Sequence, residues 1–168
     1  HFIQPHLPLN SAFLLFAVFC AKVLLAFIPL HMLLLWCGAK KREKAELIAV
    51  FVTLGVGVCT AFIIGHLYFR TRPFLAGVSH AFIAHRPSAS FPSDHAVLFG
   101  VYLYFLRAYH YRYAFYVAAI CAILTCWARV FVGVHYPSDV VAGLGIGWLI
   151  ALMCLPLCFK IGEKFSLG

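Results

Sequence analysis

Charge is scarce in this sequence, and negative charge scarcer still: 13 Lys and Arg face 5 Asp and Glu in 168 residues. A soluble domain carries about a quarter charged residues. Here the share is 11%, against 64% hydrophobic, which excludes an ordinary water-soluble globule. The composition instead implies an integral membrane protein, with residues 1–168 forming one domain. There is no CxxC pair among the 7 cysteines, and an odd count completes no disulfide framework. They read as small hydrophobes packed between helices. Nothing basic precedes the first apolar stretch, which is also too long for a signal peptide, so no cleavable leader is expected. His1, in place of a methionine, reads as a processing remnant. Internal repeats and low-complexity tracts are missing. The net charge of +8 raises the idea of nucleic acid, but the basic residues are scattered between apolar runs and form no face. No nucleic-acid partner is expected.

What the chain does have is long apolar runs. Five spans are expected: roughly Ala12 to Cys37, Leu47 to Phe69, Phe91 to about Leu106, Tyr113 to Phe131, and Asp139 to Phe159. Crossing a bilayer takes about 20 helical residues. The third span is short unless Arg107 snorkels to the interface or the helix starts below the membrane surface. The expected fold is an all-α, polytopic bundle of five transmembrane helices, six if residues ahead of His1 add one. A long outward loop, Arg70 to Pro92, joins the second and third helices. Its apolar pieces FLAGV and AFIAH favour an ordered loop on the membrane surface.

Charge counting sets the orientation. Lys40, Lys41, Arg42, Lys44, Arg107, Arg112, Lys160 and Lys164 share one side of a five-span chain, against Arg70, Arg72, Arg86 and Arg129. The richer side is cytoplasmic, and with it the C-terminus. Pro29 predicts a kink in the first span. Gly143 and Gly147 form a small-xxx-small pattern for close helix packing. Trp36 and Trp127 read as interface anchors.

The four outward arginines need another explanation. FPSDH, residues 91–95, and YPSD, residues 136–139, each stand before an apolar helix on that same side. As helix starts, both explain themselves: proline suits the first turn, and serine or aspartate caps free N–H groups. Capping does not explain His95 or His135. Arginines beside a helix N-terminus make an anion site, because guanidinium forks match phosphate oxygens. Two histidines there can divide nucleophile and proton-donor roles. His135 and Asp139 lie four apart, so on a helical turn the carboxylate would orient the imidazole. Arg129, six residues before His135, would bind the phosphate under attack. With cations around it and only Asp94 and Asp139 near, the cluster is a poor metal site, and no metal or cofactor is expected.

GHLYFRTRP, PSDH and ARVFVGVHYPSD together resemble the three-part pattern of the type 2 phosphatidic acid phosphatase superfamily of membrane lipid phosphatases. That pattern is Lys-x6-Arg-Pro, Pro-Ser-Gly-His and Ser-Arg-x5-His-x3-Asp. FPSDHA, with Asp94 at the family glycine, and RTRPF resemble the bacterial undecaprenyl-diphosphate phosphatase branch.

The resemblance implies removal of the terminal phosphate from a polyprenyl diphosphate carrier of cell-wall synthesis, at the outer face of the inner membrane. His135 would be the nucleophile, forming a phosphohistidine, with Asp139 orienting it. His95 would protonate the leaving oxygen and later activate water. Arg72, Arg129, Ser93 and Arg70 would hold the phosphate. Phosphatidate, phosphatidylglycerol phosphate or lipid A phosphatases, and lipid phosphotransferases, share these residues. An anionic-lipid-binding transporter or assembly subunit would need only the arginines.

Two departures stand out: the family lysine falls on Gly65, with Arg70 or Lys22 as replacement, and the family serine is Ala128. Arg86-Pro87 competes with Arg72-Pro73, but Arg72 follows a span directly and continues into Phe74. Asp94, Lys22 and Arg86 are therefore further candidates. Lys22 lies about 16 Å into the first span, where a lysine reads as functional. His31, His66, His80, His85 and His110 have no partner at a telling spacing.

Overall fold

The computed structural model describes residues 11–83 and 88–166, and among them every regular element is helical. In chain order these are α1 (Ser11–Lys22), a 3-10 turn (Leu24–Ala26), α2 (Phe27–Gly38), α3 (Lys41–Leu67), α4 (Asp94–Ala108), α5 (Arg112–Phe131) and α6 (Pro137–Ser166). Arg86 and His85 lie outside the described residues.

The first apolar run is one span broken in the middle. Pro29 has no N–H to give the carbonyl four residues back, and its ring crowds that same carbonyl. The carbonyl belongs to Leu25, inside the 3-10 turn. The kink expected at Pro29 therefore appears one turn ahead of it. The basic connection KKREK is mostly helix: only Ala39 and Lys40 separate α2 from α3. The Glu43 carboxylate accepts the Lys40 backbone N–H at 2.7 Å, which starts α3 within the charged segment.

Among the described residues, four stretches are long and apolar enough to cross a membrane: Ala12–Gly38, Lys41–Leu67, Arg112–Phe131 and Pro137–Cys158. The expected third span, α4, has 15 residues and so reaches only about 22 Å. It is the most enclosed helix of the bundle, burying Phe99, Val101, Tyr102, Phe105 and Leu106 completely. An apolar helix short of full membrane thickness is stabilised here by neighbouring helices on most sides.

Glycine decides how α4 meets α6. A Cβ at Gly143 would lie 2.8 Å from the Ala96 Cβ and 2.9 Å from the Ser93 carbonyl oxygen. One at Gly147 would overlap the Val97 carbonyl, and one at Gly100 the backbone of Leu144. The two backbones touch, as the small-xxx-small pattern anticipates. This crossing brings the N-terminal ends of both helices together: the Ser93 N–H donates to the Asp139 carbonyl at 3.1 Å.

The connection from α3 to α4 folds back over the short connection from α5 to α6. Phe82 N–H donates to the Val132 carbonyl and the Ser79 hydroxyl to the Gly133 carbonyl, both at 3.2 Å. Ile83 is buried with Phe131, Val132 and Val134. Deeper in the bundle, the buried Tyr102 hydroxyl and His31 Nδ1 share a hydrogen bond of 2.5 Å. His31 thus satisfies a polar group that would otherwise be stranded in hydrocarbon. Leu15, Phe51, Phe62, Ile123 and Met153 stay exposed around the outside, as a lipid-facing surface requires.

Gly147→Ala should destabilise the bundle by about 1–3 kcal/mol through overpacking, read as a lower unfolding temperature in detergent. Gly145→Ala is the control, because nothing lies within 4 Å of a Cβ there. It should leave the temperature unchanged.

Candidate active site

The site forms where the α4 and α6 N-termini meet the α5 C-terminus, under the folded-back connection. His135 is only 3% exposed. Its Nδ1 lies 2.8 Å from the Ser90 carbonyl oxygen. A carbonyl can only accept, so Nδ1 carries the proton, and the lone pair of the neutral ring is on Nε2. Two guanidinium groups face that lone pair: Arg129 Nη2 at 3.1 Å and Arg72 Nη1 at 3.4 Å.

The arginines are anchored elsewhere. Arg72 donates from Nε to the Ser88 carbonyl and from Nη2 to the Ser88 hydroxyl, both at 3.0 Å, and from Nη1 to the Val134 carbonyl at 2.9 Å. Burial pulls its pKa down from the ordinary guanidinium value, and the negative charges of Asp94 and Asp139 pull it back up. Arg129 is 5% exposed. Its place on the last turn of α5 puts a cation at a helix C-terminus, where the dipole favours it.

Asp139 is fully buried and well supplied with donors. Oδ2 accepts the Ser90 hydroxyl at 2.5 Å and the Tyr136 N–H at 2.9 Å. Oδ1 accepts Arg70 Nη1 at 2.6 Å. The distance from His135 Nδ1 to Asp139 Oδ2 is 3.8 Å, an electrostatic contact beyond hydrogen-bond length. The expected direct carboxylate–imidazole bond is thus replaced by the Ser90 carbonyl. His135 precedes α6 and is not part of its helical turn, so the four-residue spacing does not stack the two side chains. Asp139 instead caps its own helix through Tyr136 and fixes Ser90, whose carbonyl holds the ring.

Ser90 was missed by sequence reasoning; nothing in its local sequence marks it. Arg70 is turned toward the carboxylate: Nη1 also lies 2.7 Å from the Ser138 hydroxyl, and the guanidinium stacks 4.0 Å over the Tyr136 ring. Ser93 is the N-cap residue of α4, yet its hydroxyl makes no capping bond. That hydroxyl is buried with no hydrogen-bond partner among the described residues, which suits an oxygen-rich ligand. His95 is half-buried on the first turn of α4, beside the exposed Asp94.

The candidate Lys22 lies apart from this cluster, and so does His66. Lys22 ends α1 on the wall of an apolar groove of about 750 Å³, with Leu25, Met32, Phe51 and Leu54. His66 engages its own helix, with Nδ1 3.1 Å from the Phe62 carbonyl. Gly65, where the family pattern has lysine, is closely packed: a Cβ would lie 3.3 Å from the Ala89 Cβ and 3.4 Å from the Phe91 carbonyl oxygen. No group of three metal-binding side chains occurs among the described residues.

The family model for the PAP2 superfamily matches residues 46–163. YbjG of Escherichia coli (strain K12), named as an undecaprenyl-diphosphatase by inference, is 32% identical over 148 residues, 88% of this chain and 75% of its own. Undecaprenyl-diphosphatase BcrC of Bacillus subtilis (strain 168) is 29% identical over 147 residues, 86% of this chain and 74% of its own. In fold, the chain resembles the crystal structure of a transmembrane PAP2 type phosphatidylglycerolphosphate phosphatase from Bacillus subtilis. The TM-score is 0.68 at 21% identity, over 94% of this chain and 80% of that one.

Burial, and the positive charge of Arg129 and Arg72, depress the His135 pKa from 6.5 to about 4, against the opposing pull of Asp139 and Ser90. Between these values the unfolded chain takes up a proton that the folded chain refuses, so stability should fall as pH drops from 6.5 toward 4. Nitrogen-15 NMR of labelled histidine should show His135 neutral, protonated at Nδ1, at pH 5.5.

Proposed function

The chain belongs to the PAP2 superfamily, and from that premise we propose that it hydrolyses the terminal phosphate of a polyprenyl diphosphate lipid carrier through a phosphohistidine. The observation that carries this reading is the His135 Nε2 lone pair aimed between two guanidinium groups. A neutral imidazole is nucleophilic, and the arginines it faces are the groups that would draw a terminal phosphate onto it.

In the first step Nε2 bonds to the terminal phosphorus as the bridging P–O bond breaks. The electron pair leaves with the polyprenyl phosphate, and His95 supplies a proton to the departing oxygen. In the second step water attacks the phosphorus and gives a proton to His95. The N–P bond breaks, and inorganic phosphate departs. Arg72, Arg129 and the Ser93 hydroxyl hold the non-bridging oxygens, whose charge grows in each transition state. Arg70 acts on Asp139, and through it on Ser90 and His135. Asp94 tempers the positive potential at Arg72.

A lipid substrate is supported by the apolar groove between α2 and α3. Leu98, one turn along α4 from His95, is on its wall. A chain leaving the acid would meet hydrocarbon there. The preference for a polyprenyl diphosphate over other lipid phosphates rests on the names of YbjG and BcrC. The same reading puts the site at the outer face of a bacterial plasma membrane and the C-terminus in the cytoplasm.

The test is phosphate release by purified protein from undecaprenyl diphosphate, phosphatidylglycerol phosphate, phosphatidate and a lipid A phosphate, assayed side by side with a chelator present. Undecaprenyl diphosphate should give the highest kcat/KM. His135→Ala should abolish release, and Arg129→Ala or Arg72→Ala should lower kcat by about 10²–10³. His95→Ala should impair the monoesters more than the diphosphate, whose leaving group is itself a phosphate. Binding of the lipids without turnover would make the protein an anionic-lipid-binding subunit and sink the enzyme reading. Appearance of the phosphate on a second lipid would make it a phosphotransferase.

A further inference from the structure

The other end of α4 carries a second cationic cavity. His95 and Arg107 stand at opposite ends of this helix, about 18 Å apart along its axis. Around Arg107 a cavity of about 360 Å³ is lined by Leu106, Arg107, His110, Arg112, Phe115 and Tyr116. It lies at the α4–α5 turn, remote from the catalytic cluster.

Neither Arg107 nor Arg112 forms an ion pair with an acid among the described residues. Glu46, whose charge reaches Tyr111, pairs with Arg42 instead, at 3.8 Å. The preference of basic residues for the cytoplasmic side accounts for their side of the membrane. It does not account for their convergence on one cavity floored by apolar and aromatic groups.

His110 adds an independent sign. It sits at φ 61, in the left-handed region. The Tyr111 N–H donates to the Leu106 carbonyl at 2.9 Å, so the turn closes α4 as a Schellman motif with His110 at the position glycine usually takes. Glycine would adopt this backbone without strain. A histidine held there puts an imidazole on the cavity wall at some loss of stability, and strain of that kind collects at binding sites.

We propose that this cavity binds the phosphate group of an anionic phospholipid of the leaflet opposite the catalytic site. Arg107, Arg112 and His110 would donate to the phosphate oxygens, and Leu106, Phe115 and Tyr116 would pack on the adjoining glycerol and acyl carbons. Basic pockets between membrane helices at the cytoplasmic surface take such headgroups. The site is independent of the phosphatase chemistry.

Native mass spectrometry from detergent, with phosphatidylglycerol and phosphatidylcholine of matched chains, tests the proposal. The parent protein should retain phosphatidylglycerol roughly tenfold better than phosphatidylcholine. Arg107→Gln with Arg112→Gln should bring the two lipids level. His110→Gly should weaken retention while keeping or raising the unfolding temperature, which separates a lost ligand from a lost fold. Equal retention of both lipids by the parent, or a double variant that still prefers phosphatidylglycerol, would overturn the proposal. Inorganic phosphate at millimolar concentration should not displace the lipid; if it does, the source is solution phosphate and the lipid assignment fails.

Discussion

Two guanidinium groups converging on one buried imidazole nitrogen is the arrangement on which the rest of the site depends. Like charges repel, and burial strengthens the repulsion by removing water. The chain tolerates it because carbonyls of Ser88 and Val134 hold Arg72 in place, while the carboxylates of Asp94 and Asp139 are close enough to be felt. Asp139 is itself tied to Arg70. The balance remains positive around His135, so an anion entering between the arginines would relieve a strain already present. Preorganised donors of this kind act without reorganising during the reaction.

That cluster exists because three helix ends meet. The meeting is enforced at Gly143, Gly147 and Gly100, where α4 and α6 touch backbone to backbone. A Cβ in this seam would push apart Ser93 and Asp139, whose main chains are directly hydrogen-bonded. The membrane adds its own constraint. In hydrocarbon, irregular backbone must be covered, and the 132–136 connection is covered by the folded-back segment through Ser79, Phe82 and Ile83.

Much of this was legible in the sequence. Apolar runs betray membrane helices because each must cross hydrocarbon on its own, so four of the five expected spans needed no knowledge of their partners, whereas α4, with 15 residues, is apolar because its neighbours enclose it. Gly143 and Gly147 announced close packing, and Pro29 announced the broken first span. The catalytic candidates His95, Arg129, His135 and Asp139 stood out because charge is so rare here that each instance needs a reason. Long-range pairings left no such trace. His31 and Tyr102 lie 71 residues apart. The turning of Arg70 toward Asp139 also depends on how a loop returns. The direct bond expected from Asp139 to His135 failed for a local reason: α6 starts after His135, so helical spacing does not apply across Pro137.

The most consequential acceptor in the site is a piece of main chain. The tautomer of His135 is dictated by the Ser90 carbonyl, an atom that every amino acid possesses. Exchanging Ser90 removes its hydroxyl anchor on Asp139 but never the carbonyl itself, and an alignment of residue types would not display that acceptor. What evolution or an engineer could alter is the route of the segment that delivers it, through its length and its anchor points at Ser88 and Ser90. Variation in that segment would retune the proposed nucleophile while every candidate side chain stayed the same.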